Sequence, residues 1–229
     1  MTEQLLALYF APGTCARVCL TALEETGVAF ETRLIAFGAG DHRSPEFLKI
    51  NPAGKVPALV TRDGVITQNG AILQYLSASF PEAGLLPVAN TPYEDAILSG
   101  HLFHLSSDLH PLVTRFVMPH FMCGVDNSLA DIRQRAQQSL SALLAPTEEK
   151  LAQQDWLIAE EWSIMDSYLA WVWFRITGAG FPGDDFPALS RHYEKTMARP
   201  SARRAAEREA AAYLDLESRG LTVPLPYKQ

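Results

Sequence analysis

Cysteine is scarce, with three residues in 229. So small and odd a number builds no disulfide framework, and a reducing, cytoplasmic setting is the economical expectation. Basic charge is also short. Lys and Arg number 19 against 26 Asp and Glu, a formal net charge of −7, whereas phosphate binding wants a basic face. No nucleic-acid partner is expected. Arg203, Arg204 and Arg208, interleaved with acids around AAEREAAAY, read as a solvated helix face. Long apolar runs are missing too, and MTEQLLALYF lacks the basic stretch that opens a signal peptide. No membrane partner is expected either. What remains is a globular composition, 48% hydrophobic and 20% charged, long enough for one large domain or two ordinary ones.

The first eighty residues alternate in type. LLALYF is a continuous apolar run suited to a strand buried on both faces. APGT is a turn, with Thr14 as a possible N-cap, and CARVCLTALEETG follows at helical spacing, closed by Gly27. AFETRLIAF reads as a second strand, and Ser44-Pro45 fits the N-cap and first turn of a short helix. VPALV and GVITQ flank the hairpin signal TRDG, and NGAILQYLSASF is amphipathic. The order β-α-β-α-β-β-α describes a small layer of helices on a mixed sheet.

After Pro81 the character changes. EAGLLPVANTPYED looks like a linker. Beyond it no strand is expected, and helical patterns cover 92–120, 129–153, 163–177 and 187–211. These bounds predict domains at 1–82 and 92–229. SIMD at 163–166 has the form of a capping box, and SYLAWVWFRI is apolar nearly all round, so that helix should be buried on most sides. His101, His104 and Asp108 share one helix face, but no second ligand cluster accompanies them, and no metal is expected.

Taken together, YFAPGTC, NPAGKVPAL, TQNGAILQYL and WSIMD resemble a glutathione transferase over essentially the whole chain, and PGTC with the later DLH at 108–110 is most similar to the bacterial beta-type branch. The resemblance implies an α/β N-terminal thioredoxin-like domain plus an all-α C-terminal helical domain, glutathione as cosubstrate, a small hydrophobic electrophile and a homodimer. It implies that Val56-Pro57 is a cis step presenting Val56's backbone to the cysteinyl unit of the tripeptide; read without it, Pro57 opens a strand in trans. The γ-glutamyl carboxylate then falls to Gln68 and Asn69 at a helix start, where free N–H groups favour an anion, although Asn is also a good N-cap. Lys55, His42 or Arg43 is left to take the glycyl carboxylate.

The thiolate is the nucleophile, so the site needs a group that stabilises it. Cys15, Thr14 and Tyr9 are the candidates. The resemblance points to Cys15 as the active-site cysteine, with a buried structural role for Cys19. It also points to His110 as the histidine facing the cleft, and to an electrophile pocket between domains lined by Phe10, Phe103, His110 and Phe116 or Met118. The sequence departs from the branch at Asn69, at Pro111 and in the absence of a basic residue from AFGAGD. Two rivals therefore stand beside conjugation: thiol–disulfide exchange through Cys15, and a non-catalytic binding protein on the same scaffold.

Overall fold

The buried runs and turn signals of the first eighty residues become a four-stranded sheet in a computed structural model that describes residues 6–158 and 160–223. The strands β1 (Leu6–Phe10), β2 (Phe30–Leu34), β3 (Ala58–Thr61) and β4 (Gly64–Thr67) lie in the order β2-β1-β3-β4. β1 runs parallel to β2, with Leu6 opposite Phe30 and Phe10 opposite Leu34. β3 pairs antiparallel with β1 through Tyr9 and Ala58, and β4 returns antiparallel to β3. Central β1 is buried at Leu6, Ala7, Leu8 and Phe10, which is why its sequence is apolar without alternation.

Helices α1 (Ala16–Thr26), α2 (Pro45–Ile50) and α3 (Asn69–Ser79) complete the expected order. α1 ends at Gly27 in the left-handed region, φ 68°. α2 starts with Ser44 accepting the Phe47 N–H at 3.1 Å and with Pro45 at its first position. Thr14 is not the cap of α1. Cys15 occupies that place, and the Thr14 hydroxyl only receives the Ala16 N–H at 3.3 Å.

The remaining helices are α4 (Pro92–Phe103), α5 (His110–Val117), α6 (Leu129–Leu151), α7 (Ile164–Thr177), α8 (Pro187–Met197) and α9 (Pro200–Ser218). Two expected helices are broken. The pattern over 92–120 is interrupted by a π-helical turn, His104–Leu109, in which the His110 N–H reaches back to Leu105 C=O. Pro111 has no N–H to continue an α-helical ladder, and a wider turn accommodates it. The pattern over 187–211 splits because Pro200 starts a new helix after the extended Arg199.

That split changes the domain division. One compact unit runs to Leu86 and takes in Arg199–Val223; the other holds Pro87–Ala198. α9, assigned by sequence to the helical part, instead packs on α1. The reason is electrostatic as well as apolar. Arg204 and Arg208 both reach the buried Glu24 at 2.5 Å, and Arg199 reaches Glu25 at 2.6 Å. Arg204 also donates to the Glu24 carbonyl at 2.8 Å, near the end of α1 where helix carbonyls lack partners. Arg208 lies over the Phe30 ring at 4.4 Å. Arg204 and Arg208 are therefore clamps on Glu24 as well as part of a solvent-facing row, and Arg203 stays exposed.

The helical unit is organised by α7, buried from Ile164 to Trp173. Its capping box is present, with the Asp166 carboxylate accepting the Ser163 N–H at 2.8 Å. The other oxygen of Asp166 accepts from Leu157 N–H at 2.7 Å and bonds His192 Nε2 at 2.9 Å. Asp166 is fully buried, and these bonds make such burial tolerable. No helix among the described residues is long and apolar enough to cross a membrane.

Candidate functional site

The segment before β3 is shaped by Asn51. Its side-chain amide donates to Lys55 C=O at 2.6 Å, while its side-chain oxygen receives the Ala53 N–H at 3.1 Å. Gly54 turns the chain at φ 62°, and a Cβ there would lie 2.7 Å from His42 O and 3.1 Å from an Arg43 guanidinium nitrogen. Only glycine fits so close an approach. The chain leaves this turn through Lys55 and Val56, and the Val56–Pro57 bond is cis. Because pairing with β1 begins at Ala58, Val56 stands outside the ladder. Its N–H has no partner among the described residues, and its C=O faces the Cys15 thiol at 3.8 Å. The exposed Lys55 ammonium forms no ion pair among the described residues.

Gln68 precedes α3 with φ 75° and ψ 127°, a region that costs a non-glycine residue about 1–3 kcal/mol. Its side chain is exposed and makes no hydrogen bond among the described residues. No side chain caps α3. Asn69 neither caps the helix nor extends its side chain toward an incoming ligand. Its amide nitrogen donates to Cys15 C=O at 3.0 Å and its oxygen receives the Cys19 thiol at 2.9 Å. What Asn69 still offers is its backbone N–H, at the positive end of the α3 dipole.

The turn from β1 into α1 holds the thiol candidates. Cys15 is half-buried at the cap position of α1. The Thr14 hydroxyl gives its single proton to Ala11 C=O at 2.7 Å, so in this arrangement it has none for an external thiolate. Tyr9 receives a hydrogen bond from Arg33 at 3.0 Å and packs its ring on Phe47 of α2 at 5.4 Å. Cys19 is fully buried, and burial, followed by the charge of Cys15, pushes its thiol well above the usual range. Of the four, Cys15 is the one whose reactive atom faces the Val56 edge.

His110 belongs to the helical unit. There its Nδ1 shares a 2.8 Å hydrogen bond with the Tyr168 hydroxyl, and its ring meets Trp171 edge-on at 4.6 Å. Phe116 is fully buried beneath the Arg133 guanidinium, which sits 3.8 Å from its ring centre, so it lines no open pocket. Phe103 is 57% exposed. His104 bonds Asp108 at 2.9 Å, and among the described residues no group of three or more metal-ligating side chains is arranged around an ion. In the first unit a cavity of about 420 Å³ opens between β2 and α9, walled by Phe10, Leu34, Ala211 and Ala212, with Thr32, Arg208 and Asp215 at its polar margin.

Sequence reasoning passed over Asn51, Arg17 and Glu209. Asn51 had a local signal, an Asn-Pro pair before a glycine. Glu209 had none. It receives the Gly13 N–H at 2.9 Å and Arg17 Nε at 2.5 Å from the other end of the chain.

Residues 5–78 match the family described as glutathione S-transferase, N-terminal domain, and residues 107–200 match glutathione S-transferase, C-terminal domain. Glutathione S-transferase 1 of Dianthus caryophyllus is 31% identical, over 82% of this chain and 85% of its own. Two solved structures are similar throughout. A sphingomonad glutathione S-transferase complexed with glutathione aligns with a TM-score of 0.78 at 29% identity, covering 89% of this chain and 98% of that one. The bacterial beta class enzyme of Sphingomonas chungbukensis aligns at 0.77 and 28%, with the same coverage.

Proposed function

Because this chain belongs to the glutathione S-transferase family, we propose that it conjugates the thiolate of glutathione to small hydrophobic electrophiles. The observation that carries this reading is the unladdered backbone of Val56 beside the uncapped start of α3. The cysteinyl unit of the tripeptide pairs with Val56 as an added strand would. Its γ-glutamyl carboxylate is received by the N–H groups opening α3, Asn69 among them, and by the Gln68 side chain. Lys55, with Arg43 beside Gly54, supplies positive charge for the glycyl carboxylate. This pairing brings the glutathione sulfur to the Cys15 end of α1, where the helix dipole favours the thiolate. The cavity lined by Phe10 and α9 takes the electrophile, one helical turn from the residue that holds Gly13. Proximity and thiolate stabilisation then supply the catalysis. Thr14 contributes through its backbone. We place the enzyme in the cytoplasm as a detoxifying homodimer.

A second reading is favoured by one observation, the half-buried Cys15 thiol facing Val56 C=O at 3.8 Å. A glutathione docked on that edge presents its sulfur to Cys15, as thiol–disulfide exchange requires. Cys15→Ala separates the two. Aryl-halide conjugation that survives while disulfide reductase activity is lost assigns exchange to Cys15; loss of conjugation makes Cys15 the thiol-stabilising group. Thermal unfolding with millimolar glutathione tests the common premise, because ligand at ten times its Kd stabilises by about 1.4 kcal/mol. An unchanged midpoint, with no turnover across an electrophile panel, leaves only a binding protein on this scaffold.

A further inference from the structure

A carboxylate with only 4% exposure sits on α9 at Glu209, and an acid so deeply placed is kept only where its charge is answered. Both oxygens are occupied. One receives the Gly13 N–H at 2.9 Å, the other Arg17 Nε at 2.5 Å. Gly13 and Arg17 lie two residues before and two after Cys15, so a single side chain from 196 residues away brackets that cysteine.

The bracket matters because the turn's own bonds, a 2.7 Å one from the Thr14 hydroxyl among them, both end on Ala11 C=O and leave the Gly13 N–H to Glu209. Ala11-Pro12-Gly13-Thr14 has proline second and glycine third, with Gly13 at φ 73° and a long closing bond of 3.3 Å from Thr14 N–H to Ala11 C=O. This is the pattern of a type II turn, whose third residue needs a positive φ. The Gly13 N–H belongs to the central peptide of that turn, so its bond to Glu209 fixes the peptide's orientation, while Arg17 ties the first turn of α1 to the same carboxylate and both flanks of Cys15 are held to α9. Arg17 meanwhile answers the negative charge that Glu209 brings to the end of α1 where a thiolate is to be stabilised.

We infer that Glu209 is a positioning residue for the glutathione site, fixing from α9 the turn that carries Cys15. This rests on the glutathione reading above and names a member of the site that touches neither thiol nor electrophile. In Glu209→Ala, kcat/KM for glutathione should fall roughly ten- to a hundredfold, the range that small misplacements produce, with KM for glutathione rising and KM for the electrophile little changed. Glu209→Gln keeps an acceptor for the Gly13 N–H and should recover most of the loss. The control is Glu25→Ala, which breaks the Arg199 pair near the far end of α1; it should lower the melting temperature and leave KM for glutathione alone.

A measurement without glutathione separates this inference from the reading beneath it: the rate at which iodoacetamide alkylates Cys15, read by peptide mass spectrometry. The rate should change several-fold in Glu209→Ala and not in Glu25→Ala. Should Glu209→Ala fail to fold, Glu209→Asp, which withdraws the carboxylate by one methylene, carries the same expectation. Glutathione kinetics and Cys15 alkylation within twofold of wild type in the folded variant overturn the inference, as does Glu25→Ala reproducing the same changes. If the wild type proves indifferent to glutathione, the conjugation reading falls while the alkylation rates still decide the role of Glu209.

Discussion

Helices α1 and α3 begin side by side, since the Asn69 amide of one bonds the Cys15 carbonyl of the other at 3.0 Å, yet the two openings are finished differently. Before α1 the protein supplies its own anion, the Glu209 carboxylate, which receives the Gly13 N–H and the Arg17 side chain but caps no N–H of the helix. At α3 it supplies nothing: no side chain caps the helix, and the residue before it is held at φ 75°. Both ends carry the same partial positive charge. A carboxylate held before α1 positions the turn that carries Cys15, while an approach that the protein leaves unheld, as at α3, is where an incoming carboxylate gains most. The contrast lies within one small α/β unit.

The sharpest way to break this contrast is to empty the filled end. Glu209→Ala removes the acceptor shared by the Gly13 N–H and the part-buried Arg17 side chain and should cost about 1.5–3 kcal/mol in urea unfolding. A loss below about 1 kcal/mol would mean that α1 opens as freely as α3. Cutting the bond between the helices comes next. Asn69→Ala strips the Cys19 thiol of its acceptor and removes one of the bonds at the Cys15 carbonyl, which still receives the Val18 N–H at 3.1 Å, and should cost about 1–2 kcal/mol in the same unfolding assay.

At the empty end the sign reverses. Gln68→Gly relieves the left-handed backbone and should raise stability by up to about 1 kcal/mol. It should also weaken glutathione binding several-fold by calorimetry, because a ligand hydrogen bond is lost. Stability and affinity falling together would place Gln68 in the framework instead. The smallest effect is a pH dependence. Burial holds the Cys19 proton in the native state at pH values where the unfolded chain, with a thiol pKa of about 8.5, has released it. The native state then binds more protons than the unfolded one, so stability declines as pH rises above that value, at up to about 1.4 kcal/mol per pH unit. Unfolding free energies from pH 7 to 10 should decline less steeply in Cys19→Ser.

Legibility in the sequence followed the range of the interactions. β1, the Gly27 stop, the Ser44 cap and the Ser163–Asp166 box are local devices, readable from a few neighbouring residues. The Val56–Pro57 site was reached through its motif. Asn69 shows where reading stopped: its type fitted a cap or a ligand contact, and the structure gives it a third task across to α1. The break at Pro200 was visible in principle but lay inside a strongly helical composition. Glu209, Arg204 and Arg208 could not be told from surface charges, because their partners are 180 or more residues away.

The return of α9 to the first unit has a consequence for how the polypeptide is made. The first unit is discontinuous along the chain, so synthesis delivers its sheet long before the helix that answers Glu24 and completes the Gly13 turn. A nascent chain stopped near residue 90 carries α1 with a buried-type acid and no arginines to meet it. Such long-range closure is slow and leaves apolar surface uncovered meanwhile. The turn that carries Cys15 can be finished only after residue 209 has been translated.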